Sequence, residues 1–185
     1  MPHVRLQLSM AFVTIVFFVL AMALNEWLFQ HLEFVPGINW IYLPAGVRLL
    51  CTLLFGAAGA AGLLIASLLV NAFYLFPDDP ARAVIGAILA SAAPYLVYRL
   101  ARHAFGLRAS LTNLTPARLL AFVLAYAVTN PLLHHIWFAL RGNRAALAHG
   151  FLAMFVGDLS GTLIVIYAMK ALLRLWPARA AGTRT

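Results

Sequence analysis

Six apolar runs, each close to the roughly 20 residues a helix needs to cross a bilayer core, fill nearly all of this 185-residue chain. They are Gln7–Gln30, Ile38–Phe55, Ala57–Phe76, Ala81–Leu100, Pro116–Leu140 and Gly150–Leu175. A soluble domain is about half apolar and about a quarter charged, whereas this chain is 64% hydrophobic and 10% charged. A water-soluble fold of this length would lack the polar surface to cover its core. The patterning predicts an all-α fold, a polytopic membrane helix bundle of about six transmembrane helices. Residues 1–176 form one integral membrane domain on this reading, and 177–185 a short tail.

The breaks between runs are short. Pro36-Gly37 separates the first two, and Pro77-Asp78-Asp79-Pro80 the third and fourth. Only Gly56-Ala57-Ala58-Gly59 divides the second from the third, so one long kinked or re-entrant segment is an alternative there. The single substantial loop, Ala101–Thr115, is basic and ends in Thr115-Pro116, a helix start with proline in the first turn. Arg5 followed by an apolar stretch and Ala21-Met22-Ala23 also resembles a signal peptide. The apolar run continues past that point to Phe29, and the segment is read as a span.

The net charge is +8, from thirteen Lys and Arg against five acids. The cations lie mainly between and beyond the apolar runs, where they orient the chain and meet anionic headgroups rather than a nucleic acid. With six spans and the amino end inside, the inner flanks hold Arg5, Arg99, Arg102, Arg108, Arg118, Lys170, Arg174, Arg179 and Arg184. The outer flanks hold Arg82, Arg141 and Arg144. Nine against three predicts that both termini are cytoplasmic. Cys51 is the only cysteine, which excludes a disulfide within one chain and marks it as a packing residue.

Arg48 falls inside the second run and Asp158 inside the sixth. At about 1.5 Å per residue, both lie roughly 12–15 Å below the outer surface. Ionisable groups at such depth face the bundle interior, and opposite charges at one depth suggest a pair, either structural or a ligand-responsive switch. Asn71, Asn130, His134 and Glu26 share the outer half, so a polar cluster is expected beneath that face. Asn130 and His134 are four apart and share a helix face, with Pro131 between them freeing a backbone carbonyl. Glu26 and Trp27 equally fit a place at the interface, where Trp is favoured. His134 and His135 invite a metal, but successive helical residues point about 100° apart, and no metal or other cofactor is expected. Gly157 and Gly161 make a small-xxx-small pattern for close helix approach, within the bundle or in a homo-oligomer. No phosphate-cradling loop, nucleophile elbow or zinc-protease motif is present.

Three features then fall in order: Asn39-Trp40-Ile41-Tyr42-Leu43-Pro44-Ala45-Gly46 opening a helix, Leu69-Val70-Asn71 late in the next, and Gly157-Asp158-Leu159-Ser160-Gly161-Thr162-Leu163 in the last. This order resembles the first MASE-type family of membrane-associated sensor domains, over roughly Ile38 to Leu175. Pro44, Gly46, Asn71, Gly157 and Asp158 match its pattern, while Arg48 departs from it. The resemblance implies a multi-helix sensor in the bacterial inner membrane. Because no output domain follows, the sensor would signal through a separate membrane or cytoplasmic protein. Size, six spans and an outward polar pocket suit a second class, the substrate-binding subunit of an energy-coupling-factor importer. A membrane enzyme acting on lipid-linked substrates, with His134 as base, is a third.

Overall fold

The computed structural model describes residues 2–108, 110–142 and 147–175. The tail expected at 177–185 lies outside the described residues, as do Arg144, Arg179 and Arg184. Six helices make an all-α bundle: α1 (Pro2–Phe29), α2 (Leu43–Phe55), α3 (Ala57–Val70), α4 (Pro80–Ala104), α5 (Pro116–Leu140) and α6 (Leu147–Leu175). A π-helical turn, Asn71–Leu75, extends α3, and a 3-10 turn, Gln30–Leu32, ends α1. Two short strands, β1 (Glu33–Val35) and β2 (Ile38–Asn39), pair antiparallel around Pro36-Gly37. Asp79 and Thr115 cap α4 and α5 through their side chains, each followed by a proline in the first turn.

Five segments are long and apolar enough to cross a membrane: His3–Leu32, Ala57–Leu75, Pro80–Ala104, Pro116–Leu140 and Leu147–Leu175. The sixth expected span, Ile38–Phe55, departs from its expectation. Its helical part is only the 13 residues of α2, roughly 20 Å long against a core of about 30 Å. The missing length is the short strand β2 and a non-helical bend over residues 40–42. β2 and residues 40–42 run into the bundle, and α2 begins where Tyr42 meets Gly157, ten residues into α6. The chain still passes six times between the two ends. Asn25 meets Leu43 and Phe18 meets Arg48, so α2 runs antiparallel to α1. Gly46 lies on Thr162 and Val165 while Gly157 lies on Asn39, so α6 runs parallel to α2.

The α2–α3 connection is a reversal rather than one kinked segment. Gly56 adopts φ +58, ψ −128, a backbone open in practice to glycine. That single residue folds α3 back, and a Cβ at Gly59 would strike the carbonyl of Cys51.

Around the bundle, α1 lies against α2 and α3, α2 against α6, α3 against α4, α4 against α5, and α5 against α6. Along α5 the exposed residues include Leu120, Leu124, Val128, Leu132 and Ile136, while Tyr126, Asn130 and His134 face inward. The outside of the bundle is thus the more apolar side, the reverse of a soluble fold and the arrangement a bilayer demands. One end carries the β-hairpin and the Pro77–Pro80 turn; the opposite end carries Gly56 and the arginine-bearing last turns of α4, which continues to Ala104 so that the loop expected from Ala101 starts only at Phe105. They are called below the hairpin end and the basic end.

Candidate functional site

A helix that begins inside an apolar bundle leaves its first N–H groups without water or intrahelical acceptors. α2 resolves this with neighbours. The Leu43 N–H donates to Asn25 Oδ1 at 2.8 Å, the Ala45 N–H to the Tyr42 carbonyl at 3.1 Å, and Pro44 has no N–H to satisfy. One residue earlier, the Tyr42 N–H donates to the Gly157 carbonyl at 3.1 Å. The non-helical residues 39–42 lie directly on α6 because Gly157 and Gly161 have no side chains. A Cβ at Gly157 would overlap the Asn39 carbonyl oxygen, and one at Gly161 the Tyr42 carbonyl oxygen. The close approach that this glycine spacing allows is made by the chain's own non-helical segment.

Arg48 projects from α2 into the interior and is buried. Its guanidinium carbon sits 5.1 Å from the centroid of Phe18 and 5.2 Å from that of Tyr42, and Nη2 donates to Tyr42 Oη at 3.3 Å. Its Nε has no hydrogen-bond acceptor. Asp158, also buried, accepts from Asn130 Nδ2 at 2.7 Å. The two charges expected to pair therefore have different hydrogen-bond partners: a phenol for Arg48, an amide for Asp158.

His134 Nδ1 donates to the Asn130 carbonyl at 2.9 Å. His135 Nδ1 makes the equivalent bond to the Pro131 carbonyl at 2.8 Å, and its ring packs on Phe138 and Phe151. Each imidazole is thus anchored to its own turn of α5. Among the described residues, no three His, Cys, Asp or Glu side chains converge as a metal site. Asn71 opens the π-helical turn and clamps it to α4, donating from Nδ2 to the Ala83 carbonyl at 3.0 Å.

Arg48, Asn71 and His134 line one narrow cavity with Tyr42, of about 40 Å³. That volume holds a few waters and no organic ligand. Above it, at the hairpin end, a second cavity of about 430 Å³ is lined by Arg82, Arg141, Asp79, His135, Phe34 and Trp137, among others. This falls within the range of small-molecule sites. Ile38, Arg82, Trp137 and Phe138 line both cavities and so form the floor of one and the roof of the other. Arg82 is held there, its guanidinium 4.1 Å from the centroid of Phe76 and Nη2 donating to the Pro36 carbonyl at 3.2 Å.

Of the residues expected in the cluster, Arg48, Asn71 and His134 share the inner cavity, and Asn130 and Asp158 are bonded beside it. Glu26 sits apart, on the bundle surface, accepting from Tyr74 Oη at 3.3 Å. Its neighbour Asn25 holds the interior place, fully buried at 0% exposure. Sequence reasoning passed over Asn25, Tyr42 and Arg82: the charged Glu26 drew attention from the amide beside it, and Arg82 counted only toward orientation. Pro44 lies in the first turn of α2 and Gly46 against Thr162 and Val165.

No protein-family model, curated protein or solved structure matches the chain.

Proposed function

We propose that this chain is a sensor-like membrane subunit that binds a small polar ligand at the hairpin end and passes the event to a separate signalling protein through altered helix packing. The observation that carries this reading is the shared wall between the ligand-sized mouth and the polar cavity beneath it. Ile38 belongs to that wall and to the non-helical segment that continues through Tyr42 to α2. A ligand pressing on Ile38 and Arg82 acts on the same strand that rests on Gly157 and Gly161 of α6 and holds Arg48 through Tyr42 Oη. Arg48 and Asp158 are then two poles of the switch, each able to exchange its neutral partner for the other. The membrane in this reading is a bacterial inner membrane, with the hairpin end outside and the basic end in the cytoplasm.

The test is a ligand screen by thermal shift on the purified chain, with Arg82→Ala, Arg48→Leu and Asp158→Asn alongside. We expect Arg82→Ala to abolish the ligand-induced shift while leaving the unliganded melting point within a few degrees. Arg48→Leu and Asp158→Asn should change the response more than the fold. Equal collapse of both interior variants without ligand would make the two charges structural. A pull-down from native membranes then separates signalling from uptake. A kinase or cyclic-dinucleotide enzyme supports the sensor. An ATPase pair with a helical coupling subunit would turn the same one-ended pocket into the binding site of an importer.

A further inference from the structure

The five acids of the chain are Glu26, Glu33, Asp78, Asp79 and Asp158, and none belongs to the basic end. Among the described residues, no Asp or Glu side chain pairs with the cations there. Two of them belong to a shaped site. Tyr95, Tyr98, Arg99, Arg102 and His103, spaced three and four apart, share one face of the last turns of α4. With Ala57 they line a cavity of about 390 Å³. Tyr95 and Tyr98 stack with centroids 5.9 Å apart. Arg102 Nη1 donates to Tyr98 Oη at 3.1 Å, and Arg99 Nη2 donates to His103 Nε2 at 3.3 Å. Each guanidinium has five N–H donors, and these contacts leave most of them for a partner.

The opposite wall adds to the same preference. α3 starts at Ala57, and its first-turn N–H groups have no intrahelical acceptors and carry the positive end of the helix dipole. Tyr98 Oη lies against Gly56, directly before that turn. Two guanidiniums, a phenol and a helix start thus surround one cavity, with a tyrosine pair on its bundle side where aromatic side chains meet the headgroup level. We propose that this cavity binds the phosphate of an anionic phospholipid headgroup. The site is independent of the mouth at the hairpin end. The same chemistry would accept a soluble phosphate, so lipid and free ion must be separated by experiment.

The experiment is native mass spectrometry of the full chain in mild detergent. Equal amounts of phosphatidylglycerol and phosphatidylcholine are supplied in one arm, inorganic phosphate alone in the other. We expect selective retention of phosphatidylglycerol, weakened roughly tenfold or more in Arg99→Gln/Arg102→Gln. Arg118→Gln, on the same end but outside the cavity, should retain it as the parent chain does. Both substituted side chains are exposed, and an unchanged melting point in detergent checks that the double variant is folded. Equal retention of the two lipids, or undiminished retention by the double variant, would overturn the assignment. Binding of inorganic phosphate without lipid preference would also overturn it, in favour of a soluble anion.

Discussion

Asn25 and Glu26 are neighbours in sequence with opposite fates, because successive side chains on a helix point about 100° apart. Glu26 can stay at the rim, where its charge remains near water. Asn25 must face inward, and its Oδ1 is the acceptor for the first N–H of α2. Replacing it by Ala would leave a buried donor unsatisfied, which costs about 1–3 kcal/mol. We therefore predict that Asn25→Ala lowers the melting temperature in detergent by several degrees while Glu26→Gln is near neutral. An equal effect of the two would remove the capping role. Arg48 is the second residue whose surroundings decide its behaviour. Its guanidinium lies over the Phe18 and Tyr42 rings and donates to Tyr42 Oη, a flat and multiply donating group that an ammonium does not reproduce. Arg48→Lys should thus lower the melting point although it keeps the charge; parity with the parent chain would show that charge alone matters.

At the scale of elements, the interrupted second pass is the feature that most shapes the site. An unbroken helix from Ile38 would carry its own hydrogen bonds and need nothing from its neighbours. The non-helical entry instead borrows them from α1 and α6, and so couples three elements at one depth. Gly157 and Gly161 make this possible, because backbone lies on backbone there. We predict that Gly157→Ala destabilises at or beyond the upper end of the ~1–3 kcal/mol usual for overpacking. Gly150→Ala should be milder, since the added methyl meets only the far end of the His135 ring. Melting curves of the two variants decide it, and the reverse order would refute the close contact at residues 39–42. The glycine pair was legible as a place of close approach. Its occupant was not, because the same spacing serves a second copy of the chain as well as a segment of its own.

At the scale of the whole molecule, charge is segregated. The acids lie toward the hairpin end and most cations at the other, while the lateral surface is apolar. If the basic end is cytoplasmic, as proposed above, the cysteine of Asp78→Cys should react with an impermeant maleimide in intact cells. One at position 108 should react only after permeabilisation. Cys51 is buried and serves as the unreactive internal control. Labelling in the opposite order would invert the orientation and place the ligand-sized mouth in the cytoplasm.

What this sequence determined by itself follows from the bilayer, which demands long apolar helices and permits few charges. Five of six spans, the Thr115-Pro116 start of α5 and the Pro36-Gly37 turn were readable for that reason. Hydropathy averages over a window, so it could not distinguish a helix from Ile38 onward from non-helical chain leading into a 13-residue helix. Depth likewise gives no azimuth. Which groups hydrogen-bond, Arg48 to Tyr42 and Asp158 to Asn130, was decided only by how α1, α5 and α6 are arranged around α2. That arrangement rests on backbone contacts at Gly157 and Gly161 between residues more than a hundred positions apart, a separation no local pattern encodes.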